Sequence, residues 1–180
     1  MIAQPDKRRC VMRTAKRWRG LVVAAGILAA TICVAPGRAA AADPMFRIIE
    51  ASTGMVVSGG SPGVWLTVEP WQNRADQKWI SRPTGFDSWS YQVSVASGNC
   101  QTVYFWGEGQ HVVSENCNYN GRFEFWGNIA PPGPWTGNVK IINSDGTCVT
   151  LGAPNARGFT TLMTGNCNGP AALFRYERVY

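Results

Sequence analysis

Gly98-Asn99-Cys100-Gln101-Thr102-Val103 and Gly146-Thr147-Cys148-Val149-Thr150-Leu151 share one pattern, and Asn116-Cys117-Asn118 and Asn166-Cys167-Asn168 share another. Within each copy the two cysteines stand 17 and 19 residues apart. An earlier stretch, Gly54-Met55-Val56-Val57 followed by Trp71, lines up with both, placing Met55 and Trp71 at the cysteine positions. Each copy then closes on an aromatic side chain, at Trp79, Phe125 and Phe174.

A period of 45 to 50 residues built from short strands is the mark of a closed β repeat. Propellers typically need four or more blades, so three copies point to an all-β, threefold β-trefoil. The units fall at about 43–86, 87–134 and 135–180. Phe46–Glu50, Val64–Val68, Tyr91–Val95, Val103–Trp106, His111–Ser114, Val139–Ile142 and Thr160–Met163 are expected to be strands, separated by Gly, Pro, Asn and Asp clusters. Pro131-Pro132-Gly133-Pro134 is expected to be a stiff connector between the second and third units.

Residues 1–42 have the layout of a secretory signal. A basic stretch from Lys7 to Arg19 precedes a 15-residue apolar run, Leu21 to Ala35, and Ala39 to Ala42 offer small residues for cleavage after Ala42. The run is shorter than the roughly 18 to 20 residues a spanning helix needs, so removal is expected over a retained anchor. Arg8-Arg9 loosely resembles a twin-arginine signal, and Ile32 before Cys33 speaks against a lipoprotein. The segment holds eight of the 17 basic residues and one of the 11 acidic ones, leaving nine against ten and a formal charge of −1. The mature part therefore lacks a basic footprint for a phosphate backbone, and no nucleic-acid partner is expected.

Cys10 and Cys33 leave with the signal, and the remaining four cysteines allow three pairings. The repeat selects Cys100 with Cys117 and Cys148 with Cys167, each loop contributing on the order of 3 kcal/mol in the chain-entropy model. A zinc site fits poorly, since no pair has knuckle spacing and His111 is the one histidine. No metal or cofactor is expected.

A strand, Gly-x-Cys-x-x, a second strand, Asn-Cys-Asn and a closing Gln-x-Trp together resemble the repeat of the ricin B-type β-trefoil lectins. Gln77-Lys78-Trp79 keeps the closing tripeptide, while Phe123-Glu124-Phe125 and Ala172-Leu173-Phe174 take its place in the other units. The resemblance implies up to three shallow sugar pockets. Each would use an aspartate two residues after the first cysteine, a stacking aromatic two before the second, and an Asn-Gln pair before the closing aromatic.

The chain departs from that pattern. Val57, Thr102 and Thr150 occupy the aspartate position, and Glu69, Glu115 and Gly165 the stacking position. Asp76-Gln77, Arg122-Phe123 and Ala171-Ala172 occupy the Asn-Gln position. The third pocket thus reads as lost. The candidate ligand-binding residues are Glu69, Asp76 and Gln77 in the first unit, and Thr102, Glu115 and an outward Trp106 in the second. Trp79, Phe125 and Phe174 are expected in the core, with Trp71 filling the volume of the absent cystine; Trp65, Trp89, Trp106 and Trp135 are the rings available for stacking on sugar.

No nucleophile motif, P-loop or His-Glu-x-x-His is present, and His111 stands alone, so no enzyme is expected. Two functions remain: a secreted, extracellular or envelope-associated lectin-like protein binding a glycan through altered pockets, or a trefoil that has lost sugar and binds a protein partner. Exposure of Trp65 and Trp106 over a polar cleft separates them.

Overall fold

The computed structural model describes residues 43–86, 88–104, 107–118, 124–130, 136–169 and 171–180, and among these described residues short apolar stretches punctuated by glycine turns give thirteen antiparallel strands, with a 3-10 turn at Ala75–Gln77. The strands are β1 (Met45–Glu50), β2 (Val56–Ser58), β3 (Val64–Trp65), β4 (Thr67–Glu69), β5 (Trp79–Pro83), β6 (Ser90–Ser94) and β7 (Cys100–Val103). The others are β8 (Val112–Glu115), β9 (Trp126–Ile129), β10 (Lys140–Asn143), β11 (Thr147–Pro154), β12 (Thr160–Asn166) and β13 (Phe174–Val179). Among the described residues no helix is long and apolar enough to cross a membrane.

The pairing repeats three times. The last strand of each unit joins the first strand of the next at one equivalent position: Trp79 opposite Ser94, Trp126 opposite Asn143, and Phe174 opposite Glu50. The middle strands meet near the centre, where the Leu66 amide donates to the Val112 carbonyl at 2.8 Å and the Leu162 amide donates to the Leu66 carbonyl at 2.9 Å. These three aliphatic side chains are fully buried, with Trp79, Trp126 and Phe174 in the same core. Closure of the sheet through β13 and β1 pairs edges that would otherwise invite aggregation.

The cystines form within units, Cys100 to Cys117 and Cys148 to Cys167. In the first unit the register differs from the expectation by one residue. Val56 lies opposite Ile49 as Cys100 lies opposite Val93 and Cys148 opposite Ile142, so Val56, not Met55, holds the cysteine position. Gly54, Gly98 and Gly146, with φ of 72°, 74° and 90°, precede these residues by two, in a left-handed conformation that glycine adopts without steric cost. Trp71 holds the second cysteine position, and the Arg47 guanidinium lies 4.9 Å from its ring centroid.

The second unit closes on Trp126, not Phe125. Trp126 occupies the barrel position of Trp79, and Phe125 packs instead with Tyr91, Val93 and Cys100 in a smaller cluster. The closing tripeptide there is Glu124-Phe125-Trp126. The strand expected at Val103–Trp106 also shifts: pairing runs from Cys100 opposite Glu115 to Val103 opposite Val112, because it starts directly after the Gly98 turn. Phe105, Trp106 and residues 131–135, including the proline connector and Trp135, lie outside the described residues.

Candidate functional site

Loop 70–77 and the Gly59-Gly60 corner build a cleft of about 310 Å³ on the first unit. The corner must be glycine at its first position. A Cβ on Gly59 would come 2.1 Å from Leu66 Cδ2 and 3.0 Å from Trp79 Cη2. The second unit pins the corner, with Ser94 Oγ donating to the Gly59 carbonyl at 3.1 Å and Ser114 Oγ to the Gly60 carbonyl at 3.0 Å. From the other side, the Gly59 amide donates to the Asp76 carbonyl at 2.9 Å.

Register correction changes the polar inventory. Ser58, not Val57, stands at the aspartate position of the resemblance; Val57 is core. Ser58 Oγ donates to Asp76 Oδ2 at 3.0 Å, and Arg74 ties Asp76 to Glu69, its Nε 3.0 Å from Asp76 Oδ1 and its Nη2 2.5 Å from Glu69 Oε2. Thr67 Oγ1 donates to the other Glu69 oxygen at 2.9 Å. Hydrogen bonds to Asp76 and Glu69 push the Arg74 guanidinium still further toward its charged form. Asn73, at φ 58°, makes the left-handed turn just before Arg74.

Gln77 is buried and has a positioning part. Its Oε1 accepts the Gln72 amide and its Nε2 donates to the Pro70 carbonyl, both at 2.8 Å, so one side chain fixes the loop that carries Arg74 and Asp76. Gln77 does not line the cleft; Glu69 and Asp76 do.

An aromatic edge completes the cleft. Trp65, 46% exposed, lies parallel to the His111 ring at a centroid distance of 3.7 Å and an angle of 6°, which fixes the indole plane. Phe159 and Arg157 enter from the β11–β12 hairpin of the third unit. Asn155 Oδ1 accepts the amides of Arg157 at 2.9 Å and Phe159 at 3.1 Å and thereby shapes that tip. Trp89, another expected stacking ring, instead packs against the smaller cluster.

The second unit brings Thr102 and Glu115 onto paired strands, and the Tyr104 hydroxyl donates to Glu115 Oε1 at 2.7 Å. That bond to Glu115 raises the Tyr104 pKa. Trp106 lies outside the described residues, as does Arg122. The third unit holds a larger concavity of about 610 Å³, lined by Thr150, Leu151, Ala171, Ala172, Leu173 and Glu50 among others. Burial opposes ionisation of Glu50, but hydrogen bonds from Thr53 and Ser52 outweigh it and keep its carboxyl below the usual range. Alanines stand at the Asn-Gln position here, and the polar residues of the hollow are Glu50, Ser52 and Thr150. Ser58, Arg74, Arg157 and Trp126 were not singled out from the sequence; aligning Gly54 with Gly98 would have found the first.

No protein-family model and no curated protein matches this sequence. Solved structures do. The designed threefold-symmetric protein ThreeFoil matches with a TM-score of 0.65 and 15% identity, over 75% of this chain and 99% of that one. The BEL β-trefoil gives a TM-score of 0.60 and 15% identity, covering 76% and 93%. SeviL, solved with an asialo-GM1 saccharide, gives 0.58 and 12%, covering 77% and 99%. These likenesses and the threefold strand pairing establish that the chain folds as a β-trefoil.

Proposed function

We propose that the chain is a secreted, non-catalytic trefoil that binds carbohydrate through the cleft of its first unit, with residues 1–42 as a removable export signal. One observation carries the reading: an exposed tryptophan held flat against His111 lines the same cleft as the Ser58–Asp76–Arg74–Glu69 network. A sugar presents a C–H face to an aromatic ring and a hydroxyl-rich edge to fixed polar groups, and a shallow site needs both. Glu69, Asp76 and Ser58 supply the acceptors, while Gln77 positions their loop. Thr102 and Glu115, with Tyr104, form a second, lesser site. The resemblance to ricin B-type repeats and the saccharide-bound trefoil SeviL add support at the level of the fold.

The ion pairs support a reading of binding without chemistry. Arg74 engages both cleft carboxylates, which leaves neither as an unpaired acid or base for glycoside hydrolysis. A glycan array probed with the oxidised protein and with Trp65→Ala tests the proposal. Reproducible binding that Trp65→Ala weakens about tenfold or more is expected; silence from folded protein overturns it in favour of a protein partner. Mass analysis of exported protein should show Asp43 as the first residue.

A further inference from the structure

We propose that the first-unit cleft selects an anionic saccharide, one bearing a carboxylate or sulfate, and that Arg157 of the third unit is the group that recognises the charge. The proposal rests on the carbohydrate reading above and adds the ligand's charge and a second unit to the site. Two guanidiniums and two carboxylates line this cleft. Arg74 is committed: it contacts Asp76, Glu69, Ser58 and Gln72. Its ion pairs offset one of the two carboxylate charges of Glu69 and Asp76, and Arg157 brings these four groups of the cleft to a net charge of zero, so an incoming anion does not meet a net negative site.

Arg157 differs. It is exposed, and among the described residues its side chain makes no hydrogen bond or ion pair; the bond at this residue is made by its backbone amide to Asn155. The Asn155-capped turn holds the backbone of Arg157 in place beside Phe159. A planar guanidinium with unused donors matches a carboxylate or sulfate through paired, charge-assisted hydrogen bonds. Beside Trp65 and the Arg74-bound carboxylates, it completes a site for a sugar ring carrying one negative group.

Matched glycans test this: lactose against its sialylated and sulfated forms, and neutral oligosaccharides against uronic-acid counterparts, titrated onto the oxidised full chain at low salt. Anionic members should bind about tenfold tighter than their neutral parents, with the advantage shrinking as salt rises. The sialylated, uronic and sulfated arms identify which anion is preferred. Arg157→Gln should bring the anionic ligand down to the level of its parent, and Arg157→Lys should restore part of the preference; Trp65→Ala should weaken both members of a pair. Equal binding of neutral and anionic members, or a preference that survives Arg157→Gln, overturns the charge assignment and leaves carbohydrate binding standing. Absence of binding to every member overturns both.

Discussion

The Trp126 indole donates its Nε1–H to the Gln101 carbonyl at 2.7 Å. Trp79 makes the equivalent bond to Val57 at 3.1 Å. The two bonds fix how the first and second units superpose, since each clamps the closing aromatic onto the residue that follows the cysteine position. The placement of Ser58 at the aspartate position of the repeat depends on that register.

A third cystine tests it. Val56→Cys with Trp71→Cys should oxidise to a bridge equivalent to those of the other units, adding about 2 to 3 kcal/mol of stability less the lost contact with Arg47. Met55→Cys with Trp71→Cys should remain reduced or destabilise the fold. Mass mapping and thermal unfolding of the two variants decide between the registers.

Glu124 stands where the first unit has Gln77, and it inherits half of the role. It is 3% exposed; its Oε1 accepts the Asn118 amide at 2.8 Å, while Oε2 has no partner among the described residues. Burial raises its pKa, opposed by the Asn118 bond. The fold therefore favours the protonated form: this contribution is full below the ordinary value of 4.5 and is lost as pH rises through the raised folded value. Glu124→Gln should stabilise the protein at pH 7 by about 1 to 2 kcal/mol and flatten this part of the pH dependence. Denaturant unfolding at pH 4 and pH 7 checks both.

The repeats were legible because cysteines mark two units and a glycine turn precedes each marked strand. In the first unit, where Val56 and Trp71 replace the cysteines, that marker is gone, and the neighbouring apolar residues Met55 and Val56 both suit the cysteine position by side-chain type. Phe125 and Trp126 are adjacent aromatics, and local sequence does not say which enters the barrel; only pairing with Asn143 decides it. Glu69 and Asp76 were visible as polar residues at matching offsets. Arg74 and Arg157 were not, because one lies in an irregular turn and the other comes from a different unit, so folding alone brings them to the cleft.

Gly59→Ala should cost stability, since the new methyl would overlap Leu66 and press on Trp79. Overpacking of this kind costs about 1 to 3 kcal/mol. Relief by backbone movement would strain the Gly59–Asp76 bond and deform the cleft, so glycan affinity should fall together with the unfolding midpoint.

Tyr104→Phe removes an exposed hydrogen bond to Glu115 and should change stability by less than about 1 kcal/mol. If the first unit dominates binding, this variant retains wild-type affinity. Loss of affinity here, with Trp65→Ala silent, would relocate the principal site to the second unit.

The indole N–H resonances offer the most direct measurement, because Trp65 lines the cleft while Trp79 and Trp126 are sealed in the core. On titration of labelled protein with the best-binding glycan from the array, the Trp65 signal should shift in proportion to occupancy while those of Trp79 and Trp126 stay in place. A saturable titration that leaves Trp65 unmoved would contradict carbohydrate binding at the first-unit cleft.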